Sequence, residues 1–174
     1  MRKFSYTFAL LLAASIVFTS CNTATSNKGV VVNGVRWATY NVETPGTFAK
    51  NIESTGGFFT WEEAKNACPC GWRLPTREEF ESLSDVADSE WITVNGVNGR
   101  TFGTMPNQLF LPAAGNRGTD GTFRHVADVA GWYWGSAQGA SATTAWNLLI
   151  LDGITQIWSS NNRSNRFTVR CVAE

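Results

Sequence analysis

The sequence predicts an α+β domain in which two short helices pack on small antiparallel sheets joined by long loops, and three observations carry that expectation. Thr60-Trp61-Glu62-Glu63 and Thr76-Arg77-Glu78-Glu79 both place a Thr at N-cap and a Glu at N3, so that hydroxyl and carboxylate can satisfy the orphan amides of two helix starts. Asn33-Gly34, Asn95-Gly96 and Asp152-Gly153 follow or separate β-rich runs, as hairpin tips do, because a tight two-residue turn favours positive φ. Residues 95–121 hold six Gly and two Pro with little periodicity outside residues 108–113, which reads as long loops around one short strand.

In chain order, Arg2 and Lys3 precede an apolar run over residues 8–18. The run is too short for an ordinary membrane span and has the layout of a secretory signal. It closes on Phe18-Thr19-Ser20-Cys21, small residues before a cysteine, and this resembles the lipobox of bacterial lipoproteins. That resemblance implies that the Cys21 thiol is acylated and that cleavage makes Cys21 the new N-terminus. The expected organisation is a lipoprotein signal peptide over residues 1–20, a polar flexible tether over residues 21–29, and one domain over residues 30–174. Lys plus Arg and Asp plus Glu number 14 each. Loss of Arg2 and Lys3 leaves a nearly neutral chain without a basic stripe, which argues against a nucleic-acid partner.

The domain opens with a hairpin, Val30 to Trp37 around Asn33-Gly34. In the first helix Trp61, Ala64 and Cys68 fall at i, i+3 and i+7, and in the second Phe80, Leu83 and Ala87 do the same, so each has one apolar stripe. Pro75, just before the second N-cap, sets the entry angle where no helical N–H is required. Trp91-Ile92-Thr93-Val94 is the next strand. In the hairpin tipped by Asp152-Gly153, Trp146, Leu148, Ile150 and Ile157 share one face and Leu149, Leu151, Ile154 and Trp158 the other, the pattern of a hairpin covered on both sides.

The strings Ala67-Cys68-Pro69, Gly71-Trp72-Arg73-Leu74-Pro75-Thr76, Glu79-Phe80, Phe110-Leu111-Pro112-Ala113-Ala114-Gly115-Asn116-Arg117, Gly131-Trp132-Tyr133-Trp134 and Arg166-Phe167-Thr168-Val169-Arg170-Cys171-Val172 resemble, in order, the signature of the Fibrobacter succinogenes major paralogous domain. This is a bacterial surface-protein module similar to the C-type lectin fold. The resemblance implies that fold and a disulfide between Cys68 and Cys171, stapling the first helix to the last strand and leaving Cys70 as a thiol. Pairing of Cys70 with Cys171 is the competing assignment. Met105-Pro106-Asn107 and Trp146-Asn147-Leu148 lack the acidic members of the lectin calcium triplets, so calcium-dependent sugar binding loses its usual ligands.

Cys68-x-Cys70 with the single His125 matches no common zinc module. No nucleophile elbow, phosphate loop or carboxylate pair stands out, and no metal or cofactor is expected. The functional expectation is a non-catalytic, lipid-anchored envelope module, on the outer membrane and facing the periplasm or the cell surface, that recognises a glycan or a protein. The alternatives are a structural or assembly subunit of a surface appendage and, from another class, a thiol-dependent modifying enzyme related to formylglycine-generating enzymes. Recognition is expected on the loops of residues 95–121 and 159–165, with Arg117, Trp134, Trp158, Asn162 and Arg163 as candidate ligand contacts, because loops on a rigid scaffold gather binding groups. The opposing account makes these Trp core and Arg163 a solvated charge.

Overall fold

The computed structural model describes residues 29–125 and 127–174. The signal segment, Cys21 and nearly all of the tether lie outside the described residues.

The expected α+β class is overturned. Strand accounts for 48% of the structure and helix for 8%, so this is a mostly β domain of small antiparallel sheets, and a C-type-lectin-like packing of helices on sheets is not supported. The first hairpin pairs β1 (Gly29–Val32) with β2 (Val35–Ala38). Asn33 and Gly34 at its tip both have positive φ, 45° and 79°, the geometry that Asn-Gly supplies at least cost. A small hairpin of β3 (Val42–Thr44) and β4 (Thr47–Phe48) follows.

Both capping boxes form. Thr60 accepts from the Glu63 N–H and Glu63 accepts from the Thr60 N–H at the start of α1 (Trp61–Ala64), and Thr76 and Glu79 do the same for α2 (Arg77–Ser84). The helices are shorter than the apolar stripes predicted. After Ala64 the chain tightens into i to i−3 bonds, Asn66 N–H to the Glu63 carbonyl and Ala67 N–H to the Ala64 carbonyl, and Pro69 disfavours helical geometry at Cys68. Ala87 lies beyond the end of α2 and is exposed. Between the helices runs β5 (Trp72–Arg73).

Residues 95–121, expected to be loops around one short strand, also hold β7 (Val97–Phe102), which joins the expected strands β6 (Ser89–Val94) and β8 (Leu109–Pro112) in one sheet. Gly99 disguised β7. A Cβ there would lie 2.3 Å from the Leu111 carbonyl oxygen and 2.6 Å from the Phe110 ring, so the glycine marks a close crossing inside a strand. A short ribbon of β9 (Asn116–Arg117) and β10 (Phe123–His125) leads into the central sheet of β11 (Ala130–Gln138), β12 (Thr144–Leu151) and β13 (Ile154–Asn162). β14 (Val172–Ala173) sits between β2 and β5.

The central sheet separates two hydrophobic cores. Trp132, Trp134 and Leu149 enter the one that holds Phe59, Trp61, Ala64, Trp72, Phe167 and Cys171. Tyr133, Leu148 and Ile150 enter the other, with Trp37, Phe80, Leu83 and Val172. The alternation of β11 and β12 thus fills both, as the two-faced apolar pattern of the second hairpin required. Cys68 and Cys171 are joined as a disulfide across a sequence separation of 103. No cysteine among the described residues is free, so the expectation of Cys70 as a thiol is not met. Cys70 sits exposed in the turn before Gly71.

The extended segment 167–171 threads between β11 and the first hairpin, its polar alternates turned to the other side. Arg170 is completely buried, with Nε donating to Asn41 Oδ1 at 2.9 Å and Nη1 to the Ala38 carbonyl at 3.1 Å. Burial pushes its guanidinium down to about 10, because low dielectric disfavours the charged form.

Candidate functional site

The five sequence-selected residues do not form one site. Trp134 is core: it is 0% exposed, stacks on Phe167 with ring centroids 4.1 Å apart and donates from Nε1 to the Phe59 carbonyl at 2.8 Å. Arg163 is a strut. Its guanidinium lies 4.1 Å from the Trp61 ring centroid, Nε donates to the Thr144 carbonyl at 3.1 Å, and Nη1 is 3.8 Å from Glu62. Asn162 is exposed and closes the turn after β13, its Oδ1 accepting from the Ser164 N–H at 2.8 Å. Trp158 and Arg117 each line an open cleft, and the two clefts are different.

The Trp158 cleft has a volume of about 340 Å³ and is lined by Asn116, Arg124, His125, Trp132, Leu149, Trp158, Asn161 and Asn165. Trp158 is 44% exposed because it lies on β13, the edge strand of the central sheet. On the same face, Trp132 of β11 and Leu149 of β12 are covered. A bulge puts Trp158 opposite Asn147 and Asn161 opposite Ala145. The extra residue on β13 restores the parity, so Trp158 and Asn161 project from one face although they are three residues apart. The indole is oriented by a 3.1 Å bond from Nε1 to Gln156 Oε1, and Asn161 by a 3.1 Å bond to Asn147 Oδ1. His125 packs on Trp132 at 4.6 Å and meets Asn116 Oδ1 through Nδ1 at 3.1 Å. The result is an aromatic floor rimmed by amides.

The second cleft, about 600 Å³, is lined by Thr55, Gly56, Gly57, Phe58, Arg117, Gly121, Phe123 and Arg166. Arg117 is clamped between two rings, 4.1 Å from the Phe123 centroid and 5.0 Å from that of Phe58, and Nη1 donates to the Gly121 carbonyl at 3.2 Å. Arg117 and Arg166 exchange backbone hydrogen bonds of 3.0 and 2.9 Å, which ties the β9–β10 ribbon to the segment after β13. The ribbon turn is held by Asp120, whose carboxylate accepts from the Thr122 hydroxyl and N–H. Those bonds hold its carboxyl below the usual range.

Successive residues of β9 point to opposite sides, so Asn116 enters one cleft and Arg117 the other. Asn165 and Arg166 divide in the same way. Residue choice alone missed Asn116, Arg124, His125, Asn161 and Asn165. The available signal was the spacing of Asn161 and Asn165 after an aromatic on a strand that could be an edge. Gly118 was another: a Cβ there would lie 2.1 Å from Arg124 Nε, so any larger residue would displace that side chain from the ribbon turn.

Among the described residues, no three His, Cys, Asp or Glu side chains group closely enough to hold a metal ion, and no helix is long and apolar enough to cross a membrane. The family model of the Fibrobacter succinogenes major domain matches residues 19–173. No curated protein and no solved structure matches the chain.

Proposed function

The chain belongs to the Fibrobacter succinogenes major domain family, and from its cleft geometry we propose that it is a non-catalytic binding module of the cell envelope, lipid-anchored at Cys21, that holds a glycan in the Trp158 cleft. The observation that carries this reading is a half-exposed indole fixed over a cleft whose rim includes the amides of Asn116, Asn161 and Asn165. Sugar rings present C–H groups on their faces and hydroxyls at their edges. An aromatic plane meets the first and amide side chains, which both donate and accept, meet the second. What sets Trp158 apart from other exposed apolar residues is that its indole is oriented by its own hydrogen bond and borders a cleft with convergent polar groups.

The test compares the purified protein with Trp158→Ala on a glycan array, with thermal melting alongside. Because Trp158 is an edge-strand residue, we expect loss of array binding by at least tenfold with melting shifted by no more than about 2 °C, the range of surface substitutions. Glycan binding that survives the substitution unchanged would remove the cleft from consideration.

A further inference from the structure

We infer that the ligand is an anionic carbohydrate chain which crosses the β9–β10 ribbon, one sugar stacked on Trp158 and neighbouring acidic groups read by Arg124 in the same cleft and by Arg117 and Arg166 in the next. This rests on the glycan reading of the Trp158 cleft and adds the chemical class of the ligand and the second half of its footprint.

The chain as a whole has equal numbers of basic and acidic residues. The two clefts do not follow that balance, since their linings include three arginines and no Asp or Glu. Arg166 pairs with Glu63 at 2.9 Å, but among the described residues neither Arg117 nor Arg124 is in an ion pair. Asp120, at the turn between β9 and β10, accepts from Thr122 and lies near enough to Arg124 for the two charges to attract, but makes no salt bridge with it. A guanidinium that makes no salt bridge and borders open space can take a carboxylate from a ligand through two parallel N–H donors.

Arg117 is also held in advance. The rings of Phe58 and Phe123, themselves edge to face at 5.8 Å, fix the plane of its guanidinium, so little side-chain freedom remains to be lost on binding. Phe123 is 54% exposed and adds a second aromatic surface on the far side of the ribbon. Two clefts divided only by a two-stranded ribbon, with residues from the same strands lining both, suit a polymer of repeating units more than a compact ligand. A nucleic acid would also offer anions and flat rings. Amides around the indole and a chain without net positive charge favour the saccharide.

The experiment measures binding of the purified protein to matched pairs of oligosaccharides: oligogalacturonate and its methyl ester, oligomannuronate and its methyl ester, and chondroitin sulfate and its desulfated, carboxyl-esterified form, with single-stranded oligo-dT alongside. At least one acidic member should bind ten times or more tighter than its neutral counterpart at 50 mM NaCl, with the gap closing at 500 mM as screening shortens the reach of charge. Arg124→Gln, a change at an exposed side chain, and Arg117→Gln should each narrow the gap threefold or more. Equal affinity for acidic and neutral members, both lost in Trp158→Ala, would overturn this inference and leave the glycan cleft standing. Binding to none of the saccharides overturns the inference, and absence of signal on the glycan array as well would overturn the cleft reading. Tighter binding of oligo-dT than of every acidic saccharide would overturn the carbohydrate assignment.

Discussion

Removing the Cys68–Cys171 disulfide by the double substitution Cys68→Ala/Cys171→Ala is expected to lower stability by several kcal/mol, and the structure sets the size of the effect. The bond closes a sequence separation of 103, for which chain entropy gives about 4.7 kcal/mol at 25 °C. Cys171 is fully buried in the core with Trp72 and Phe167, so the lost sulfur adds a cavity term of up to about 1 kcal/mol. At an unfolding entropy of about 2.1 cal/mol/K per residue, a domain of about 145 residues converts 4.7 kcal/mol into a fall of roughly 15 °C in Tm. The assay is thermal melting followed by circular dichroism without reductant, so that the bond stays closed in the wild-type protein. The double variant is preferred to either single one, which would leave a reactive thiol beside the core. A fall of less than about 4 °C would refute the reasoning, by showing that the two segments are already held near each other in the unfolded chain or that native strain cancels the constraint.

Trp134→Ala should cost about 3–5 kcal/mol in chemical denaturation, as emptying a buried aromatic position does. Trp134→Phe should cost clearly less, because the Phe59 carbonyl that loses the indole N–H still accepts from the Phe167 N–H at 3.0 Å; equal costs would contradict this. Burial alone would raise the Glu79 carboxyl, but the two-pronged contact with Arg73 and the Thr76 N–H together hold it below its ordinary value. A lowered folded-state value contributes stability that is full above the ordinary carboxylate range and is lost as pH falls through the folded value. Arg73→Met should therefore move the acid-unfolding midpoint, read by circular dichroism, to higher pH, and an unmoved midpoint would dismiss the pair. For the anchor, metabolic labelling with an alkyne fatty acid should tag the wild-type protein and not Cys21→Ser; equal labelling of both would dismiss acylation at that residue.

Sequence reading succeeded where structure is decided locally. The Thr60–Glu63 and Thr76–Glu79 boxes and the Asn33-Gly34 turn need only neighbours within four residues, and all three form. It failed where distant strands decide. The extent of β7 depends on Gly99 passing under Phe110 and Leu111, a crossing with no local signal, so a strand passed for loop and the fold class was misjudged. Trp134 and Trp158 share a face of one sheet and differ only in position, β11 being covered by residues 59 and 167 while β13 is an edge. No composition or periodicity separates them. Arg117 and Trp158 were found as candidates, but the amides beside Trp158 were not, because a bulge rather than strict alternation brings Asn161 onto the face of Trp158.

The position of β14 carries a kinetic implication for the newborn chain. Val172 pairs with Trp37 on one side and Arg73 on the other, so the strand that joins the first hairpin to β5 is synthesised long after both. At 5–20 residues per second, the roughly 135 residues from Trp37 to Val172 take about 7–27 s to make. Through that interval β2 has one open edge, and Trp37 and Trp72 lack Val172 and Cys171 beside them. The domain therefore cannot complete its assembly until Val172 has been made, and a holding chaperone has many seconds in which to engage a chain whose two cores are still unsealed.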